Sequence, residues 1–272
     1  MPELPEVETI RRDLAKTITG LRVERVFLHD ARVVRMPAEE FVQRLKGRMV
    51  RSVQRRGKAL LFDLNGLWLV IQPMMTGQVI YVHPGKKITA AKATKAVFEL
   101  SKGGTLLYND QRLFGRLMVV RTLEDIGYLK AIGPEPLEPG FTLEVLASQL
   151  LRRNVAIKTL LLDHKVVAGV GNIYASEILF RAGLSPRRKA KNLKRREIVR
   201  LHQAIGEVLN DAVRMRGTSL RNYRDGRGMP GRYLRVVRVY GRDGQPCLAC
   251  GATVKRIVQA QRSTYFCSQC QK

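Results

Sequence analysis

Apolar residues at Val7, Ile10, Leu14 and Ile18 recur at steps of three and four, which predicts one amphipathic helix near the start of the chain. After Gly20 the period changes. Short apolar and β-branched runs at 21–28, 49–55, 59–64, 67–71, 78–82, 96–100, 105–108 and 117–120 read as strands, separated by turn pairs such as Asn65-Gly66 and Gly103-Gly104. Many short strands at close spacing predict a sandwich or barrel. Residues 133–140 hold three prolines and two glycines and read as a linker. Beyond them, 142–151, 155–162 and 173–182 read as helices. Ile198, Leu201, Ile205, Leu209, Ala212 and Met215 mark a long amphipathic helix that Gly217 is placed to end. The expected organisation is α+β and multidomain: an N-terminal β-rich domain at 1–132, the linker, a helical domain at 141–236 and a small cysteine module at 237–272.

Charge narrows the class. The 272 residues include 49 Lys and Arg against 23 Asp and Glu, a net charge of +26. Residues 1–132 carry a net +10 and residues 133–272 a net +16, so both halves suit one polyanionic partner. Hydrophobic content is 45%, too high for a disordered basic tail. The run at 67–71 is far too short to span a bilayer, and the opening Met-Pro-Glu-Leu-Pro-Glu is not a secretory signal, so a cytosolic protein is expected. The basic run 187–196 reads as a solvated face, and the stretch 216–238, with its glycines, as a mobile loop.

All four cysteines lie in the last 26 residues, as Cys247-x-x-Cys250 and Cys267-x-x-Cys270, with 16 residues between the pairs. That spacing fits a closed four-thiolate Zn²⁺ site, which is structural because it leaves no position for a reactive water. Two disulfides are the alternative. Arg262 sits before the second strand of the intervening hairpin, where it either reaches a phosphate or stays idle in solvent.

The first residues hold a chemical possibility. Removal of Met1 exposes the secondary amine of Pro2, whose pKa near ~8 leaves it partly unprotonated and nucleophilic at neutral pH. Glu3 stands beside it as a general acid/base, although Glu3 and Glu6 also suit the helix dipole alone.

Several stretches resemble one family in order along the whole chain. These are Met1-Pro-Glu-Leu-Pro-Glu-Val-Glu-Thr9, Arg56-Gly57-Lys58, Asp110-Gln111-Arg112-Leu113-Phe114-Gly115 and Gly133-Pro134-Glu135-Pro136-Leu137. Lys158-Thr-Leu-Leu-Leu-Asp163, Ala168-Gly-Val-Gly-Asn-Ile-Tyr-Ala175 and Tyr240 through Gln271 complete the set. Together they resemble bacterial formamidopyrimidine-DNA glycosylase, the 8-oxoguanine repair enzyme.

The resemblance implies an N-terminal β-sandwich with a leading helix, then a helical domain with a helix–two-turn–helix motif and a zinc finger. It implies a monomer that binds double-stranded DNA containing oxidised purines or abasic sites in the cleft between domains, with the damaged nucleotide flipped out. Pro2 is the implied nucleophile at C1′, Glu3 the general acid/base, Glu6 a support and Lys58 a contact to the lesion or its phosphate. Lys158, Asn172 and Arg262 are implied phosphate contacts. Met75, Arg112 and Phe114 match the trio that fills the hole left by the flipped base; without the resemblance they read as a core Met, a surface Arg and a core Phe. The implied cofactor is one structural zinc on Cys247, Cys250, Cys267 and Cys270, and the implied location the bacterial cytoplasm, on the nucleoid. The chain departs from the family pattern at Gln72-Pro73, across 91–95 and at Leu113, and its arginines between 219 and 232 are unusually dense. An enzyme like endonuclease VIII, acting on oxidised pyrimidines, and a non-catalytic DNA-binding paralogue are the alternatives.

Overall fold

The computed structural model describes residues 1–86, 92–151 and 153–272. Of the departures named above, Ala91 lies outside the described residues. The chain divides into two compact units, one of Met1–Lys130 with Met215–Leu234, the other of Ala131–Arg214 with Arg235–Lys272.

The first unit opens on helix α1 (Leu4–Thr17), whose Val7, Ile10 and Leu14 are fully buried, as their spacing requires. Strand β1 (Val23–Leu28) and helix α2 (Ala38–Leu45) follow. Then come β2 (Ser52–Arg56), β3 (Ala59–Asp63), β4 (Trp68–Gln72), β5 (Gln78–Val82), β6 (Thr94–Leu100), β7 (Thr105–Asn109) and β8 (Arg116–Val120). They form two four-stranded antiparallel sheets, β1-β6-β7-β5 and β2-β3-β4-β8. Val26, Phe98 and Tyr108 of the first sheet and Val53, Phe62 and Ile71 of the second share one core with α1 and α2. This is the expected sandwich with its leading helix. Helix α2 is absent from the pattern reading, because only Phe41 and Leu45 mark its buried side.

The second unit begins at Ala131, the last residue of α3 (Gly127–Ala131). It contains α4 (Leu143–Leu150), α5 (Ile157–Leu161), α6 (Asn172–Ala182) and α7 (Arg195–Arg214), then the hairpin of β9 (Lys255–Gln259) and β10 (Arg262–Phe266). The expected linker is tied down at its start: the Gly133 N–H donates to His164 O at 2.9 Å, and Pro134 O accepts from Ala168 N–H at 2.9 Å. Gly133 is required there, since a Cβ would stand 2.2 Å from Lys165 O. Helix α7 turns Ile198, Leu201, Ile205 and Leu209 inward against α6 and α4. Gly183, at φ +68°, closes α6 in the left-handed conformation glycine tolerates.

The stretch 215–234 returns to the first unit rather than extending the helical one. Its start is set by two consecutive left-handed residues, Arg216 (φ +64°) and Gly217 (φ +79°).

Candidate active site

Helix α1 starts with a capping box. The Glu3 N–H donates to Oε2 of Glu6 at 2.7 Å, and the Glu3 side chain accepts from the N–H of Glu6 in return. This satisfies helix-end donors and fixes both carboxylates. They are buried, at 4% and 2% exposure, and Pro2 is buried beside them. Glu6 does more than cap: its Oε1 accepts the Thr218 N–H at 2.6 Å, and its carbonyl accepts the Tyr223 hydroxyl at 3.3 Å.

The amine of Met1, one residue before Pro2, belongs to the same group. Burial lowers its pKa below the ordinary 8.0; the charges of Glu3 and Glu6 act to raise it and that of Lys58 to lower it further. Lys58 lies in the two-residue loop Gly57-Lys58 between β2 and β3, where Gly57 takes φ +55°. Arg55 steadies that loop, donating to Gly57 O at 3.0 Å and to Glu8 Oε2 of α1 at 3.1 Å. Terminus, Glu3, Glu6 and Lys58 therefore gather at one end of α1.

Three expected wedge residues sit on loops of this same unit. Met75 and Phe114 are 41% and 46% exposed, so neither is a core side chain. Arg112 stacks its guanidinium over the Phe114 ring, 4.5 Å from the centroid. Their scaffold is Asp110, wholly buried, which accepts the N–H groups of Arg112 at 3.2 Å and Gly115 at 2.8 Å, and the hydroxyls of Thr76 and Tyr108. Of the departures, Gln72 is a buried end residue of β4 opposite Arg116. Leu113 takes φ +57° and packs on the core.

The remaining contacts gather in the second unit. Lys158 is 1% exposed, and its ammonium donates to Asn172 Oδ1 at 2.6 Å, Ser263 O at 3.0 Å and Thr264 Oγ1 at 2.8 Å. Asn172, the first residue of α6, also donates to Ser263 O at 2.9 Å. Lys158 and Asn172 thus grip the finger hairpin. Arg262 is exposed as the first residue of β10, directly after the turn residues Ala260 and Gln261 at φ +44° and +60°.

Cys247 and Cys270 hold their sulfurs 3.9 Å apart, Cys250 and Cys267 3.5 Å apart, and all four lie within 4.8 Å of one another. Tetrahedral thiolates at ~2.3 Å from Zn²⁺ stand about 3.8 Å apart, so the set fits one zinc ion. Val239 and Val254 pack behind Cys247 and Cys267. Sequence reasoning missed Glu177 of α6, which moors this module: its buried carboxylate accepts the N–H groups of Arg238 at 2.7 Å, Val239 at 3.0 Å and Tyr240 at 2.9 Å. Thr218 was missed as well, and Asp110 was quoted as the start of a motif without a role. Neither Glu177 nor Thr218 carries a local spacing signal.

The formamidopyrimidine-DNA glycosylase N-terminal domain matches residues 1–117, its H2TH domain residues 132–224, and the zinc finger found in FPG and IleRS residues 244–272. The chain belongs to the formamidopyrimidine-DNA glycosylase family. The glycosylase of Desulfitobacterium hafniense is 45% identical over 275 residues, covering 100% of both chains. Among solved structures, the MutM (FPG) protein from Thermus thermophilus is 42% identical with a TM-score of 0.88, over 99% of this chain and 98% of that one. The Lactococcus lactis Fpg, in its complex with an abasic site containing DNA, is 33% identical with a TM-score of 0.90, over 99% of each chain. The glycosylase matches leave residues 225–243 between the H2TH and finger spans. Among the described residues, no helix is long and apolar enough to cross a membrane.

Proposed function

We propose that this chain is a bifunctional DNA glycosylase and abasic-site lyase of base excision repair, acting on oxidised purines in duplex DNA. The observation that carries the reading is the convergence of the chain terminus, Glu3, Glu6 and Lys58 at the buried start of α1.

With Met1 removed, the Pro2 nitrogen is the nucleophile. Its lone pair forms a bond to C1′ of the damaged nucleotide; the bond from C1′ to the base breaks, and its electrons leave with the base, which takes up a proton. Glu3 serves as general acid/base for the transfers. The attacking nitrogen gives up its proton, and its lone pair then breaks the C1′–O4′ bond, O4′ taking a proton from Glu3, so that an iminium is left on the opened sugar. The iminium acidifies the C2′ proton, whose removal expels the 3′ phosphate; loss of the C4′ proton in a second elimination expels the 5′ phosphate. Burial lowers the pKa of the Met1 amine; Pro2 is itself buried beside Glu3 and Glu6, and the same desolvation acting on its freed amine favours the unprotonated, nucleophilic form. Lys58 offers positive charge to the incoming nucleotide, and Glu6 holds Glu3 through its N–H.

Met75, Arg112 and Phe114 are proposed to enter the stack where the nucleotide leaves. Exposed apolar side chains beside a guanidinium suit that task, since unstacking costs a few kcal/mol per step. Asn172 and Arg262 are proposed phosphate contacts, with buried Lys158 adding its field and joining Asn172 to β10, the strand that carries Arg262. Zinc has a structural part, holding the hairpin that carries Arg262. Such an enzyme works on the nucleoid of the bacterial cytoplasm.

Borohydride trapping on duplex containing 8-oxoguanine tests the reading, with intact-mass measurement to establish that Met1 is absent. A covalent adduct that disappears in Pro2→Gly is expected. Tight binding without an adduct would leave a DNA-binding paralogue, and a preference for thymine glycol would move the substrate to oxidised pyrimidines.

A further inference from the structure

Arg216 occupies a position that an arginine does not choose for its backbone. Its φ of +64° lies in the left-handed region, unfavourable by ~1 kcal/mol or more for a residue with a Cβ. Its side chain explains what holds it there. Nε donates to Asp225 Oδ2 at 2.6 Å, and Nη2 pairs with Asp13 Oδ2. Asp13 belongs to α1 and is 4% exposed; Asp225 is 0% exposed. Asp225 uses its other oxygen to accept the N–H groups of Arg227 at 2.9 Å and Met229 at 2.8 Å. Arg227 in turn reaches Asp13 at 3.2 Å. One guanidinium thus ties the base of the 215–234 segment to its far bend and to α1.

Packing does not do this work alone. The bend at Gly226 and Arg227 borders a cavity of about 300 Å³ lined also by Asp13, Thr17, Tyr81 and His83. Further tethers run from Tyr81 N–H to Gly226 O at 2.8 Å and from Asn222 to Gln111 at 2.9 Å. Neither reaches the base of the segment, where Gly217 and Thr218 meet Glu6; there Arg232 N–H donates to Met215 O at 2.9 Å and Tyr233 N–H to Gly217 O at 3.0 Å, which closes the segment on itself without tying it to α1. At that point the approach is close: a Cβ on Gly217 would stand 2.7 Å from Oε1 of Glu6, the atom that accepts the Thr218 N–H.

We propose that Arg216, clamped between Asp13 and Asp225, is a positioning residue for the reaction: it sets the turn that aims the Thr218 N–H at Glu6, and through Glu6 the Glu3 N–H and the amine-bearing terminus. The proposal rests on the lyase reading above.

Arg216→Gly is the informative variant, because glycine takes the left-handed backbone without strain while the clamp is lost; Asp13 keeps Arg227, and Asp225 keeps the N–H groups of Arg227 and Met229. Arg216→Lys keeps one charge without the fork that bridges two carboxylates. Single-turnover rates at saturating enzyme are measured on duplexes containing 8-oxoguanine or a preformed abasic site, with affinity for undamaged duplex as the folding control. Arg216→Gly is expected to lower both rates about tenfold or more, with affinity within twofold of wild type, and Arg216→Lys to recover part of each rate. Wild-type rates in Arg216→Gly would overturn the proposal. Loss of base excision with abasic-site cleavage intact would also overturn it, since the route through Glu6 serves both steps. The wild-type protein separates the two readings: if it fails to trap on abasic DNA, the lyase reading falls first; if it traps and Arg216→Gly traps equally fast, only the clamp falls.

Discussion

Nζ of Lys158 donates to Oδ1 of Asn172 at 2.6 Å, joining α5 to the first residue of α6. The same ammonium serves Ser263 and Thr264 of the finger hairpin. A cation at 1% exposure with these acceptors is a structural hub before it is a surface contact. Lys158→Met keeps the length and removes the donors. It is expected to destabilise the protein by about 2 kcal/mol, the cost of stranded buried acceptors. Urea unfolding measures it; an unchanged midpoint would mean that Lys158 acts on DNA alone.

Phe114 gives the opposite expectation. At 46% exposure its ring adds little to the core. Phe114→Ala should change stability by no more than ~0.5 kcal/mol. Single-turnover excision should nevertheless slow about tenfold, because less apolar surface fills the gap in the stack. Thermal melts and excision rates on the same preparation check both halves.

Acid should loosen α1 through Glu8. Burial alone would raise its carboxyl pKa, but hydrogen bonds from Arg11 and Arg12 and the charge of Arg55 hold it below the ordinary 4.5. A depressed carboxylate contributes stability that is present above its unfolded pKa and lost as pH falls through the folded one. Between about pH 5 and pH 3, the melting temperature of wild type should therefore drop more steeply than that of Glu8→Gln.

Removing zinc should release the finger. The core behind the cysteines is only Val239, Val254 and a few neighbours, too small to stand alone. One zinc per chain is expected by elemental analysis, and Cys267→Ser should lose it. Chelation should lower duplex affinity, because Arg262 and the acceptors of Lys158 lie on the hairpin the metal braces.

Much of the fold was legible because its signals are local. The strands of the sandwich declare themselves by apolar runs ended by Asn-Gly and Gly-Gly, and α1 and α7 by long amphipathic spacing. Helix α2 was not, since eight residues with Phe41, Val42 and Leu45 as their large apolar positions are too short for a period to register. In the site, the terminus and the cysteines were named from the residues themselves, and the proposed wedge residues Met75, Arg112 and Phe114 from the family resemblance alone. The burial of Lys158 was invisible, as its partners lie 14, 105 and 106 residues away. So was the grip of Thr218 on Glu6, which spans 212 residues and uses a backbone N–H that any residue type supplies.

The path of the chain has a consequence for heredity. It passes from the first unit to the second at 130, back at 214 and over again at 234, so neither unit is one uninterrupted stretch of gene. A recombinant joined near residue 131 would set one parent's α1 beneath another parent's 215–234 segment. Asp13 would then meet whatever stands in place of Arg216 and Asp225. A chimera joined by a single crossover there is expected to melt below both parents unless Asp13, Arg216 and Asp225 are made to come from one of them.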